Sequence, residues 1–162
     1  MLILGSSPAP DTVEKVKHIK GREIMSINGA YRYYKDIKID HLIWQDAPYY
    51  KAPNLITKEI MFCKQDGGEW FYNVQKPDLD KDSKNLCFYP YTGVAGIDYC
   101  FKKGYNDVIL AGFTFGRYHN YPNKKQMRDR GTLSLYIRNV KELMKVIKIY
   151  SLQKNEIGIE VI

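Results

Sequence analysis

The residues able to do chemistry in this chain gather in four short patches, each directly behind an apolar run. Gly5-Ser6-Ser7-Pro8 follows Leu2-Ile3-Leu4, and Asn28-Gly29 follows residues 23–27. Gln45-Asp46 follows His41-Leu42-Ile43-Trp44, and Gly112-Phe113-Thr114 follows residues 107–111. A glycine lets backbone approach a phosphate, and the N–H groups opening a helix favour an anion. The first patch therefore suits a phosphate. A plain strand-to-helix turn explains it equally, because it lacks the GxGxxG and Walker patterns. Asn28, Gln45 and Asp46 carry amide and carboxylate groups that can read a ribose or the edge of a base. Singly, a turn-forming Asn-Gly and a capping Asp serve as well.

Two further groups stand apart. Tyr91-Thr92-Gly93 places a hydroxyl and a glycine where a helix begins, suited to a phosphate or to an ordinary Thr92 N-cap. His119, between Tyr118 and Tyr121, is a candidate general base, since an unperturbed imidazole titrates near ~6.5. An exposed loop histidine without a role is the alternative. His18, in a helix, and His41, opening a strand, are poorer candidates. Arg117, Lys124, Lys125, Arg128 and Arg130 would make residues 116–131 a cationic lid over a phosphate, or simply a solvated loop. No Ser/His/Asp order, paired-carboxylate motif or metal-ligand cluster stands out. Asp78, Asp80 and Asp82 alternate without the glycine and glutamate of a calcium loop. No metal and no cofactor are expected.

The elements that must position these groups can be read from the apolar pattern. Residues 2–4, 23–27, 41–44, 60–62 and 107–111 read as buried strands, with residues 146–152 a last one. Short strands are also expected within 70–74 and at 86–88. Ser7 as N-cap and Pro8 in the first helical position predict a helix running to His18, with Val13, Val16 and Ile19 inward and Gly21 beyond its end. A helical turn is expected at 30–34. Thr92-Gly93 opens a second helix with Val94, Ile97 and Phe101 on one face, ended by Gly104. Leu133, Ile137, Val140, Leu143, Met144 and Ile147 mark a third, amphipathic helix. Residues 76–85 read as an exposed loop and 157–162 as an edge strand. Near-continuous apolar strands alternating with helices imply an α/β fold: a mostly parallel sheet with helices on both faces, in a single domain. Ligands of such sheets bind beyond the carboxyl ends of the strands, where all four patches fall.

Composition narrows the class. The chain has 162 residues, 44% of them hydrophobic and 27% charged, which is ordinary for one globular domain. The formal charge of +7 suits a nucleotide or a phosphate-rich surface, but no nucleic-acid-binding signature accompanies it, so nucleic acid is not the favoured partner. The 14 tyrosines are many for this length, and several fall in loops where they can stack on a base or a sugar. The 3 cysteines, Cys63, Cys87 and Cys100, sit in apolar contexts and read as reduced core thiols. No apolar stretch approaches the roughly 20 residues of a membrane span, and no secretory signal opens the chain, so a cytoplasmic location is expected.

Taken together, Ile3–Pro8, Ser26–Tyr34, Leu42–Pro48 and above all Tyr91–Phe115 (YTGVAGIDYCFKKGYNDVILAGFTF) resemble the bacterial sialyltransferases that use CMP-sialic acid. That broader group includes archaeal 6-hydroxymethylpterin diphosphokinase-like proteins. The resemblance implies a Rossmann-like core in which Gly5, Ser6, Ser7, Asn28 and Gln45 or Asp46 line a nucleotide site. It puts Thr92 and Gly93 near the phosphate and closes Gly112, Phe113 and Thr114 over the cytidine. It also implies inverting, metal-free transfer of a nucleotide-activated sugar to a glycan or other acceptor hydroxyl. Tyrosines would assist the leaving phosphate and a histidine would take the acceptor proton, roles that fall to Tyr118, Tyr121 and His119. The chain departs from the family pattern where Gly112-Phe113-Thr114-Phe115 replaces Gly-x-Asp-Phe, where Gln45-Asp46 replaces Asn, and in a shorter lid. Two alternatives are a non-catalytic nucleotide-binding module and a pterin diphosphokinase-like phosphoryl transferase. The latter would need Mg²⁺ held by carboxylates, of which Asp46 is the one well-placed candidate.

Overall fold

The apolar runs at 2–4, 23–27, 41–44, 60–62, 107–111 and 146–152 each correspond to a strand, and these strands pair side by side in one direction. The computed structural model describes residues 1–44, 59–62, 72–88, 90–121 and 124–162. Numbered in chain order, its strands are β1 (Leu2–Leu4), β2 (Ile24–Ile27), β3 (His41–Trp44), β4 (Glu59–Phe62), β5 (Tyr72–Asn73), β6 (Asn85–Leu86), β7 (Asp107–Ala111), β8 (Tyr118–Tyr121), β9 (Lys124–Met127), β10 (Lys148–Ser151) and β11 (Glu160–Val161). Seven of them form one sheet in the order β11-β10-β7-β1-β2-β3-β4, with every pairing parallel. The helices are α1 (Thr12–His18), α2 (Thr92–Lys102) and α3 (Arg130–Leu143), and a 3₁₀ turn spans Asn28–Tyr33. Among the described residues no helix is long and apolar enough to cross a membrane.

Alternation along the strands separates two cores. Ile3, Met25, Ile43, Val108, Leu110 and Ile149 pack with the inner faces of α2 and α3, including Val94, Ile97, Val140 and Leu143. Leu2, Leu4, Ile109 and Ala111 pack on the opposite face with Val16 of α1, Ala30 of the 3₁₀ turn and Tyr34 just after it. Leu2, Ile3 and Leu4 are each wholly buried, so both faces of β1 are covered. Burial of one such side chain contributes roughly 1.5–3 kcal/mol, and the central strands have no solvent face on which to place a polar residue. From β1 the chain travels toward β4 by way of α1 on one face. From β7 it travels the other way by way of α3 on the opposite face, as a constant right-handed crossover requires. The sheet is therefore Rossmann-like, and its winding reverses between β1 and β7.

Three sequence expectations need correction. The first helix begins at Thr12 with Asp11 in the capping position, not at Pro8 behind Ser7. Pro10 disfavours helical backbone at Ala9, which delays the start. Ser7 instead turns its N–H to the Gly112 carbonyl at 2.9 Å. Residues 116–131 are not a bare loop: they contain the antiparallel hairpin β8–β9 and the first two residues of α3. The third helix starts at Arg130 rather than Leu133, because the Asp129 carboxylate accepts the Thr132 N–H at 2.8 Å and caps it. It ends at Leu143, and Met144 and Ile147 belong to the turn leading into β10.

The second helix is more enclosed than its periodicity suggests, with Thr92 through Cys100 all buried. Its outer side is covered by the segment Leu86-Cys87-Phe88 and by α3. There the buried Asp98 accepts the Cys87 N–H at 2.8 Å and pairs with Lys102 at 3.3 Å. Desolvation raises the Asp98 pKa, opposed by those two partners. Lys102 also donates to the carbonyls of Asp78 and Asp80 at 2.7 and 3.2 Å, fastening the polar 76–85 loop to the helix. Cys87 and Cys100 are buried and in no disulfide, as expected, and Cys63 lies outside the described residues.

Candidate functional site

A cleft of about 290 Å³ opens beyond the carboxyl ends of β1, β2 and β7, at the reversal of the winding. Its floor is made by two glycine-bearing turns that pass each other closely. The Gly5 N–H donates to the Ala111 carbonyl at 2.6 Å. A Cβ on Gly5 would meet the Gly112 carbonyl oxygen at 2.5 Å. Gly112 has φ +75, and a Cβ there would run into Gly5 backbone and the Tyr34 hydroxyl. That hydroxyl, buried, donates to the Gly5 carbonyl at 3.2 Å. Burial pushes its pKa upward, so it stays a donor. Only glycines let the two turns come this close.

The walls come from three further segments. Asn28 adopts φ 49 where β2 enters the 3₁₀ turn, and its amide donates to Thr92 Oγ1 at 3.3 Å. This bond ties the β2 wall to the start of α2. Tyr91 precedes that helix in extended conformation, no side chain caps it, and its first turn holds no acid. Gly93 lies against Phe113, whose ring a Cβ would meet at 2.7 Å. Arg128, which follows β9, is 6% exposed and lines the cleft. Its guanidinium donates to the Gly116 carbonyl at 2.8 Å and to Thr114 Oγ1 at 3.3 Å, and lies 5.3 and 5.6 Å from the Tyr91 and Tyr136 ring centres. Tyr136 of α3 meets Tyr91 edge-on at 4.9 Å and stacks on Phe115 at 5.1 Å. Burial raises the pKa of both tyrosines, with Arg128 opposing, so their hydroxyls are protonated near neutral pH.

The electrostatic character of the lining is one-sided. Its described residues include two guanidiniums, Arg32 and Arg128, and no carboxylate. They add the N-terminal end of α2, which carries a partial positive charge. Aromatic rings from Tyr33, Tyr91, Phe113 and Tyr136 supply apolar and stacking surface. Such a cleft can hold a planar group beside an anion. Among the described residues no cluster of His, Cys, Asp or Glu forms a metal site.

Of the residues singled out in the sequence, Gly5, Ser6, Asn28, Thr92, Gly93, Gly112, Phe113 and Thr114 all line this one cleft. Ser7 does not. It is 3% exposed and lies behind the floor, its carbonyl accepting from Gln153. Gln45 and Asp46 lie outside the described residues. Tyr118, His119 and Tyr121 fall on β8, in register with Met127, Gln126 and Lys124 of β9. The base of that hairpin is closed by the Arg128 N–H on the Arg117 carbonyl at 2.8 Å, so it rises from the cleft wall. Arg128 alone of the suggested lid cations is in the described lining, and Arg117 is exposed.

Arg32, Tyr136 and Gln153 escaped sequence reasoning. Arg32 lies about one helical turn past Asn28, a spacing that could have flagged it. Tyr136 sits on the apolar side of α3 and looks like any core residue. Gln153 follows the last central strand and had no motif to mark it. Compared with protein-family models, with curated proteins and with solved structures, the chain matches none.

Proposed function

We propose that the cleft binds a nucleoside phosphate, of the CMP type, and that the protein transfers a nucleotide-activated sugar to an acceptor hydroxyl. The observation that carries the binding half is the lining itself: two arginines, an uncapped helix start and four aromatic rings, with no carboxylate among its described residues. The phosphate would lie against Thr92, Gly93 and Arg128, where backbone N–H groups and a buried guanidinium both favour negative charge. Base and ribose would rest among the aromatic rings and Asn28. The likeness of Tyr91–Phe115 to CMP-sialic acid-dependent enzymes points the same way. In the transfer, the acceptor oxygen attacks the anomeric carbon and forms the new glycosidic bond. The bond from that carbon to the phosphate oxygen breaks, the nucleotide leaves with the electron pair, and the acceptor proton passes to His119. Tyrosine hydroxyls and Arg128 stabilise the departing phosphate.

A second reading, a binding module without turnover, is favoured by one observation. The described lining holds no histidine, carboxylate, lysine or cysteine that could exchange a proton near neutral pH. Transfer chemistry therefore rests on the hairpin residues. A thermal-shift screen with CMP, CDP, UDP, GDP, ATP and pterins tests the binding half. A ligand at a hundred times its dissociation constant adds about 2.7 kcal/mol to stability. A midpoint shift with CMP supports the proposal, and no shift with any nucleotide contradicts it. Incubating the protein with CMP-sialic acid and a hydroxyl acceptor then separates the two readings. Turnover that falls with His119→Ala supports the transferase, whereas CMP binding without turnover supports the module.

A further inference from the structure

We infer that Gln153, which is not itself among the residues lining the cleft, is the positioning residue that sets the spacing of its floor. The side chain is 7% exposed and lies just past β10. Its Nε2 donates to the carbonyls of Phe113 at 2.9 Å and Ser7 at 3.3 Å. Its Oε1 accepts the Ala9 N–H at 3.1 Å and the Thr12 hydroxyl at 3.0 Å. One primary amide thus joins the turn after β1, the turn after β7 and the start of α1. The orientation of the amide is forced, because carbonyls face its nitrogen and a backbone N–H faces its oxygen. Its own backbone is held by Ser151, whose hydroxyl donates to the Gln153 carbonyl at 2.7 Å and accepts its N–H at 3.3 Å.

The function of this tie follows from what it joins. Ser7 and Phe113 each lie within two residues of Gly5 and Gly112, the crossing glycines of the floor. Beyond the crossing the Ser7 N–H on the Gly112 carbonyl joins the two turns directly, and the Gln153 amide adds a second, side-chain tie at Ser7 and Phe113. Glutamine is the one residue with two donors and an acceptor at this reach. Glutamate, of the same shape, keeps the bonds to Ala9 and Thr12 and places a carboxylate oxygen against two carbonyls. Burial raises the pKa of such a carboxyl, and once protonated it can donate to one of the carbonyls.

This step rests on the cleft being a nucleotide site, and the experiment separates the two. CMP affinity is measured by calorimetry for the wild type and Gln153→Glu between pH 5 and 8. Amide hydrogen exchange is followed in both proteins without ligand. For Gln153→Glu the dissociation constant should rise about tenfold at pH 8, the scale of an unmet buried hydrogen bond, and recover most of that loss at pH 5. The wild type should show no such recovery. Exchange at Ser7, Ala9 and Phe113 should quicken at pH 8 relative to the strand amides. If Gln153→Glu does not fold, Thr12→Val, which removes a single donor to the same amide, should weaken CMP about threefold. A folded Gln153→Glu with wild-type affinity and wild-type exchange at all three amides overturns the inference. If the wild type fails to bind CMP, the nucleotide proposal falls. The exchange comparison still decides the tie, since quickening confined to these turns upholds it and unchanged exchange ends it.

Discussion

The two rims of the sheet are built on opposite electrostatic plans. At the amino rim, acids and bases meet. Arg22 makes two hydrogen bonds to Asp107, one of them 3.0 Å from Nη2 to Oδ2. Tyr105 donates to the Glu23 carboxylate, and His41 Nε2 stands 3.5 Å from the same carboxylate. At the carboxyl rim, the cleft lining brings in Arg32 and Arg128 and no carboxylate among its described residues. One rim is charge-matched and fastened; the other gathers positive potential around a concavity. The difference is the reason for proposing an anionic ligand at the carboxyl rim, since net charge alone favours no one place on the sheet.

Glycine substitutions break this comparison most sharply. Gly112 at the carboxyl rim and Gly21 at the amino rim both have positive φ, +75 and +70. A Cβ on Gly21 meets nothing within 4 Å, whereas one on Gly112 collides with Gly5 and Tyr34. Gly112→Ala should therefore cost about 3–4 kcal/mol in denaturant unfolding, combining backbone strain with the collision. Next in size, Arg128→Met should weaken CMP by about 30-fold, roughly 2 kcal/mol, in a protein whose circular dichroism is unchanged. Gly21→Ala should cost only about 1 kcal/mol, the price of the left-handed backbone alone, and leave CMP binding untouched. An equal cost for the two glycine variants would show that the cleft floor is not tightly packed.

The smallest effect belongs to the charge-matched rim. The hydrogen bonds from Arg22 hold the Asp107 carboxyl below its usual pKa. A group whose folded pKa is depressed adds stability above its unfolded pKa of roughly 3.9, and loses it as pH falls through the folded value. Asp107→Asn should remove up to about 1 kcal/mol at pH 7, discounted for the partial exposure of the pair. It should also flatten the acid limb of the stability profile below about pH 4. CMP affinity should not change, because this pair lies at the rim away from the cleft.

Much of this plan was legible in the residues. Buried strands such as Leu2–Leu4 and Asp107–Ala111 announce themselves because both faces need apolar side chains. Their order then places Ser6, Asn28, Thr92 and Thr114 together without further information. What failed has a physical cause in each instance. Ser7-Pro8 carries a helix-start signal that Pro10 overrides. The β8–β9 hairpin is written in Tyr-His-Asn-Tyr and Lys-Lys-Gln-Met, which show no apolar alternation, so nothing local marks it as paired. Tyr136 looks like core because it is core, and lines the cleft only through the packing of α3 on Phe115. Gln153 gains its meaning from partners 40 to 146 residues away in sequence.

Titration of the ¹⁵N-labelled protein with CMP, read at its glycine amides, would test most directly whether these separate turns act as one pocket. Gly5, Gly29, Gly93 and Gly112 should move along a single binding isotherm while Gly21 and Gly158 stay still. Unmoved cleft glycines, or movements that follow different isotherms, would contradict a shared nucleotide site.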